Sequence, residues 1–347
     1  MFVVSEKSCI FVENFLLGKM IKKVITYCVF VMSVFCQGLG QDIHFSQIDI
    51  NPVLLNPAYS GFFEGKGRFG MVYRNQWASV SDPYQTYAFT AEWNAYRRRY
   101  YGDGINIGMS LARDESGTLD YGTTKADAIV SYFRRLNKSN NHFVSAGLSV
   151  GFGQQSFNSL NIILPEASET FDVVKTKYLD LGFGLAWFYN PTDNFTIKVG
   201  LGAKHLNKPN ISYMHLDDVY LHPNYNIYVR TEFGLTETLS LLPVVLCRFQ
   251  DQYKEFLYGA DFKWYCYQTY KTGINCSAGV YLRHADAVVF NLMLEFEPFV
   301  LGVAYDYNFS DLKPGSGGNG AFEIALLYRL NEHKRKKGNM STCPTFL

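Results

Sequence analysis

From Arg68 to Leu330 the chain alternates between large apolar residues and small or polar ones, in one segment of about ten residues after another. Tyr87, Phe89, Ala91 and Trp93 share one face, with Thr86, Ala88, Thr90 and Glu92 on the other. Leu179, Leu181, Phe183, Leu185 and Trp187 alternate with Asp180, Gly182, Gly184 and Ala186. Near the end, Phe299, Leu301, Val303, Tyr305 and Tyr307 alternate with Val300, Gly302, Ala304, Asp306 and Asn308. A period of two marks strands with one apolar face. The pattern predicts about fourteen of them, near 68–77, 84–94, 104–113, 123–134, 142–152, 178–189, 194–206, 225–235, 239–249, 255–265, 271–283, 286–296, 299–309 and 320–330, with bounds good to about three residues.

Two all-β architectures alternate in this way, a soluble sandwich and a transmembrane barrel. Sandwich strands average about five or six residues, whereas a tilted strand needs about ten to cross a bilayer, as these do. Many apolar faces end in aromatics, as the interfacial girdles of barrels do: Trp77, Trp93, Tyr100, Tyr101, Tyr189, Trp264, Tyr265 and Tyr328. A barrel also removes the sheet edges that a bilayer would penalise. The expected fold is therefore an all-β, antiparallel, up-and-down transmembrane barrel of about fourteen strands spanning 68–330.

The long apolar, charge-free run lies near the start and reads as a secretory signal. Lys19, Lys22 and Lys23 precede the apolar stretch Val24 to Phe35, and Gly38 and Gly40 supply small residues before Gln41. Met20 is a candidate true start, because Met20 to Gly40 already forms a complete leader. Phe35 disfavours a lipoprotein signal at Cys36. Residues 1–40 are thus assigned to a signal peptide and the mature chain to the outer membrane. Of seven cysteines, four remain after the leader, Cys247, Cys266, Cys276 and Cys343, and none forms a CxxC pair. Cys266 and Cys276 flank a hairpin, with two unpaired small residues preferred over a disulfide. A net charge of +1 excludes the strong basic excess of a nucleic-acid binder.

Short links such as Asn137–Asn141 and Pro191–Asp193 have turn composition, and long links at Asn158–Lys177, Asn207–Asn224 and Ser310–Asn319 belong on the opposite, extracellular side. Both termini are then expected to face the periplasm. The segment 41–67 is rich in Asn, Pro and Gly and is too long for a bare link. It is expected either to plug the barrel mouth, with Asn56 and Pro57 fixing a turn, or to trail as a periplasmic tether, the plug being preferred.

The chain also carries an ordered set of short motifs. Gln41-Asp42-Ile43-His44-Phe45-Ser46-Gln47 leads to Leu55-Asn56-Pro57-Ala58-Tyr59-Ser60-Gly61, and the first strand ends Tyr73-Arg74-Asn75-Gln76-Trp77. Further on come Tyr281-Leu282-Arg283, Asp286-Ala287-Val288, Gly302-Val303-Ala304-Tyr305-Asp306-Tyr307-Asn308-Phe309-Ser310-Asp311-Leu312, Glu323-Ile324, Tyr328-Arg329 and a closing Cys343-Pro344-Thr345-Phe346. This set resembles the PorP/SprF membrane proteins of the type IX secretion system over essentially the whole mature chain, with Thr345 and Leu347 as small departures. The resemblance implies a non-enzymatic part of the secretion and gliding machinery of the Bacteroidota. Its implied partners are type IX secretion components, a secreted adhesin with a sorting domain and a peptidoglycan-associated protein, besides outer-membrane lipid; nucleic acid is not among them. The Asn56-Pro57-Ala58 motif is also similar to fatty-acid transporters of the FadL type, which implies the alternative of a channel for small apolar molecules.

Candidate site residues follow. Asn56, Pro57, Ala58, Arg74, Asn75, Gln76, Trp77, Tyr305 and Asp306 carry the family motifs and the plug. Arg74, Gln76, Glu92, Asp180, Lys198, Lys204, Arg230, Glu232, Asp306, Glu323 and Arg329 fall on inward faces, where charges escape a lipid-face cost of roughly 2–4 kcal/mol. They form either a salt-bridge network, which is preferred, or a lined path. Gly147, Gly151, Gly182, Gly184, Gly200, Gly202, Gly279 and Gly302 crowd the same faces, making room for a ligand or plug or packing a curved wall. Lys334, Arg335, Lys336 and Lys337 form a basic run in the tail 331–347, solvated or gripping an acidic periplasmic partner. GxSxG, P-loop and HExxH motifs are lacking, and the seven histidines are scattered. No cofactor, metal or catalytic residue is implied.

Overall fold

The computed structural model describes residues 42–63, 65–78, 83–98, 102–116, 121–137, 141–157, 174–192, 194–212, 219–268, 273–310 and 317–330. The leader 1–40, the basic run Lys334 to Lys337 and Cys343 lie outside the described residues.

Fourteen strands close into one antiparallel barrel in which each pairs with its chain neighbours. In order they are β1 Gly67–Gln76, β2 Tyr84–Arg98, β3 Asp103–Ser116, β4 Tyr121–Arg135, β5 His142–Phe157, β6 Val174–Thr192, β7 Phe195–Lys204, β8 Asn224–Gly234, β9 Leu239–Gln250, β10 Tyr253–Gln268, β11 Gly273–Arg283, β12 Ala287–Phe296, β13 Phe299–Asn308 and β14 Asn319–Leu330. Closure comes from β1 against β14, running from Gly67 opposite Leu330 to Gln76 opposite Ala321. Every strand expected from the alternation is present. The largest difference is length: β6 spans Val174–Thr192 rather than 178–189. Alternation reports where side chains meet lipid, whereas the hydrogen-bond ladder continues past the apolar zone, here through the exposed Lys175 and Lys177.

The outward residues form an apolar belt. Leu148, Leu179 and Leu292 are each more than half exposed, which is tolerable only where lipid replaces water. Trp93 and Trp264 lie on this face near strand ends. Tyr265 does not: it follows the outward Trp264, so it points inward and donates its phenol to Glu232. The bulge after it puts Tyr267 outside instead.

The rim where β1 starts and β14 ends carries the connections 99–102, 136–141, 193–194, 235–238, 269–272 and 297–298. The opposite rim carries the longest ones, 158–173, 205–223 and 309–318. Long connections thus gather on one rim only, while the rim where β1 starts carries short ones alone.

Candidate functional site

The lumen is occupied by the chain's own segment before β1. Ser46 bonds residues near the long-loop ends of β11, β13 and β14. Asn51 accepts from Thr90 Oγ1 at mid-height, 2.6 Å away. Arg97, near the short-turn end of β2, donates to the carbonyls of Gly61 and Phe63, each at 3.1 Å. The segment therefore descends from the long-loop side to the short-turn rim. The barrel's own two ends meet at the short-turn rim, whereas Ser46 lies on the far side.

Two prolines shape the descent. Pro52 and Pro57 each open a one-turn 3-10 helix, η1 Pro52–Leu54 and η2 Pro57–Tyr59, where a missing N–H costs nothing. Asn56 caps the second, its Oδ1 accepting from Ala58 N at 2.8 Å.

Near the long-loop side the segment is held by charge. The carboxylate of Glu323 accepts from Ser46 N at 2.7 Å and Gln47 N at 3.0 Å and pairs with Arg74. Arg74 Nη2 reaches Asp306 at 3.1 Å, and Arg283 Nη1 reaches the same oxygen at 2.9 Å. Both guanidiniums donate to Ser46 Oγ, which in turn donates to Asp306 at 2.9 Å. Glu255, paired with Arg248 at 3.0 Å, extends the lattice. Arg74, Asp306 and Glu323 are each at most 1 % exposed, so each needs its partners. His44 sits beside this lattice, and burial together with the Arg74 charge lowers its pKa to about 3. It is therefore neutral at ordinary pH.

At mid-height the segment is held by shape. A side chain at Gly147 would collide with the backbone of Pro57 and Ala58, one at Gly184 with the Asn56 amide, one at Gly200 with the Tyr59 hydroxyl, and one at Gly302 with Gln47. These glycines also bare the wall's backbone: Asn56 Nδ2 donates to the carbonyls of Leu185 and Leu201, 3.0 and 3.1 Å away on β6 and β7. The remaining four glycines of this set make room for wall side chains instead, Gly151 for Asp127, Gly182 for Ser149, Gly202 for Asn226 and Gly279 for Asp261. Both readings of the glycine faces thus hold, at different positions.

Toward the short-turn rim an aromatic cluster takes over. Phe62 stacks on Phe188 with centroids 3.7 Å apart and meets Phe133 edge-on, while Tyr59 meets Phe188 and Tyr228 edge-on. Burial, with Asp49 adding, pushes the Tyr59 phenol well above its ordinary pKa, so it stays neutral. Two ion clusters flank the stack. Arg230 bridges Asp49 at 2.7 Å and Asp261 at 2.8 Å, with Tyr228 and Tyr281 donating to those carboxylates. Arg68 pairs with Glu92 at 2.7 Å.

The motif residues separate by strand parity. Asn56, Pro57 and Ala58 lie in the lumen at mid-height, Arg74 and Asp306 meet in the separate lattice nearer the long-loop side, and Gln76 accepts from Arg74 at 3.4 Å. Asn75 and Tyr305 are on the outward faces of their strands, bonded to Tyr73 and Asn319 respectively. Trp77 follows β1 with a positive φ of 58° and packs edge-on against Tyr84. Ser46, Asp49, Arg68, Glu255, Asp261 and Arg283 were missed as site residues. Parity would have found the four on strands, since each lies an even number of residues from an inward neighbour; Ser46 and Asp49 carry no such signal. Cys266 and Cys276 are free and exposed, their sulfurs 3.5 Å apart. Among the described residues no group of three or more His, Cys, Asp or Glu is placed to hold a metal ion.

The family model for the type IX secretion system membrane protein PorP/SprF matches residues 38–328. No curated protein matches the sequence. Solved barrels resemble the fold at low identity. The CymD monoaromatic hydrocarbon channel is 11% identical, with 86% of this chain and 97% of that chain covered and a TM-score of 0.46. The toluene transporter TodX of P. putida is 8% identical, with 82% and 95% covered and a TM-score of 0.46. A Pseudomonas aeruginosa FadL homologue is 11% identical, with 81% and 94% covered and a TM-score of 0.44.

Proposed function

Because the chain belongs to the PorP/SprF family of type IX secretion system membrane proteins, we propose that it works in the outer membrane as a closed, non-enzymatic scaffold of that machinery. It aids export or surface attachment of a secreted adhesin that carries a sorting domain, or links the machinery to the periplasmic ring and a peptidoglycan-associated protein. The observation that carries this reading is the filled lumen: residues 43–63 act as a plug whose backbone meets Gly147 and whose Asn56 meets Gly184. A channel for small apolar molecules needs a continuous path, and here the outer half of the lumen is an ion lattice around Ser46. The working surfaces are then the long loops and the tail with Lys334, Arg335, Lys336 and Lys337, whose charge suits an acidic partner.

Deleting the gene in the native host and comparing cell-surface and secreted proteins with wild type tests the proposal. Loss of one large adhesin, or of many proteins with sorting domains, is the expected result and separates a dedicated from a general role. Unchanged export with altered uptake of a small molecule would overturn it.

A further inference from the structure

Two cysteines stand against each other on the outer face of the barrel. Cys266, near the end of β10, and Cys276, in β11, are ten residues apart in sequence, and their sulfurs are 3.5 Å apart. Both are free and exposed. Cys276 lies opposite Trp264, which makes Cys266 its diagonal neighbour, one outward position nearer the short turn. In a regular ladder diagonal partners stand about 7–8 Å apart, too far for side chains as short as these. A bulge brings them together. The β10–β11 register shifts between Tyr265 and Tyr267, leaving Cys266 with no residue opposite it. On the other edge, β9 pairs with β10 only as far as Trp264 opposite Leu239. Cys266 thus has no ladder partner on either side and can move without breaking a rung.

The two thiols have different surroundings. Cys276 borders an apolar groove on the lipid face, with Phe262, Trp264, Leu292 and Leu294. Cys266 stands beyond Trp264 on the side of the 269–272 connection, at the aromatic level where a barrel face passes from hydrocarbon to water. A water-borne reagent therefore meets Cys266 first, with Cys276 already in contact behind it.

We propose that Cys266 and Cys276 form a redox site, a dithiol that a disulfide-bearing oxidant converts to a cross-strand disulfide. The Cys266 thiolate attacks one sulfur of the oxidant, and the other sulfur leaves as a thiolate. The Cys276 thiolate then attacks the Cys266 sulfur of this mixed disulfide and expels the second oxidant sulfur. One S–S bond forms in the protein and one breaks in the oxidant. Two electrons pass to the oxidant, whose two thiolates take up the two protons that the cysteines release. The sulfurs must close by about 1.5 Å to reach a bonded separation of about 2.05 Å, and the unpaired bulge supplies that freedom. Short connections of bacterial barrels face the periplasm, a compartment in which disulfides form and persist. The bond ties β10 to β11 where their ladder is interrupted.

The test uses the full-length protein in neutral detergent, reduced, freed of reductant and treated with stepped concentrations of oxidised glutathione. Free thiols are then blocked with N-ethylmaleimide. Tryptic cleavage after Lys263, Lys271 and Arg283 places the two cysteines on separate peptides, 264–271 and 272–283, so mass spectrometry reads the bond as one linked pair. The expected result is that linked pair, with loss of both maleimide labels and their return on re-reduction. Cys276→Ser should stop at the mixed disulfide and hold glutathione on Cys266. Oxidised wild type should also need more denaturant than reduced wild type to lose its heat-shifted mobility on a gel, because the bond restricts the unfolded chain. Thiols that stay labelled throughout, a Cys276→Ser variant that takes up no glutathione, links formed chiefly to Cys247 or Cys343, or equal denaturant resistance of the two forms would overturn the proposal. Its failure leaves the secretion reading untouched, because export is read by a different assay.

Discussion

Around Ser46 the plug is held by ions; around Asn56, some way down the lumen, it is held by side chains the wall does not have. The first region joins Arg74, Arg283, Asp306 and Glu323 to two plug amides and one hydroxyl. The second seats Pro57, Asn56 and Tyr59 against Gly147, Gly184 and Gly200. The difference matters because charge tolerates adjustment and steric exclusion does not. An ion lattice responds to pH and can be rebuilt with other residues, whereas a Cβ placed where backbone stands has nowhere to go. One region thus sets how firmly the plug is held, and the other whether it fits.

Breaking the shape side has the largest expected effect. Gly147→Leu cannot coexist with Pro57 and Ala58 in place, so the plug should leave the lumen while the barrel still forms. Limited proteolysis that cuts within 43–63 in the variant and spares wild type would check this. On the charge side, Glu323→Leu leaves the buried Arg74 without one of its two carboxylates and strips the acceptor from Ser46 N and Gln47 N. Its cost is roughly 3–5 kcal/mol of plug docking, read by hydrogen exchange of the plug amides. The double variant Arg74→Met/Glu323→Leu should recover part of that loss, because no unpaired guanidinium remains.

Asn56→Ala sharpens the comparison, since Asn56 serves the shape region through hydrogen bonds. Removing a helix cap and two wall contacts costs roughly 2 kcal/mol by the same exchange measurement. The smallest effect is expected from pH. The docked state lowers the His44 pKa from 6.5 to about 3, so it resists protonation. Its contribution to docking is complete above about 6.5 and declines as pH falls toward 3. His44→Asn should flatten the pH dependence of plug protection, taken as the ratio of intrinsic to observed exchange, between about pH 6.5 and 5, above the range where ordinary carboxylates protonate.

How much of this was legible follows from what a period of two can report. Alternation is imposed by lipid on one side and lumen on the other, so it located all fourteen strands and the inward parity of Arg74, Glu92, Asp306 and Glu323. It was silent on height along the barrel, so it did not show that Ser46 meets Asp306 or that Asn56 meets Leu185 across well over a hundred residues of chain. The turn chemistry of Asn56-Pro57 was readable because a cap and a proline act locally. The glycines were visible, but which of them face the plug depends on register around the barrel, which no local pattern carries. Asn75 and Tyr305 lie in the family motifs yet face outward, because a motif mixes both parities of one strand.

The most direct test of the central claim, that the chain's own plug closes the lumen, is conductance of the purified protein in a planar lipid bilayer. The account predicts that wild type shows no sustained open state and that Gly147→Leu does, with stepwise currents. A steady, porin-like conductance from wild type would contradict it.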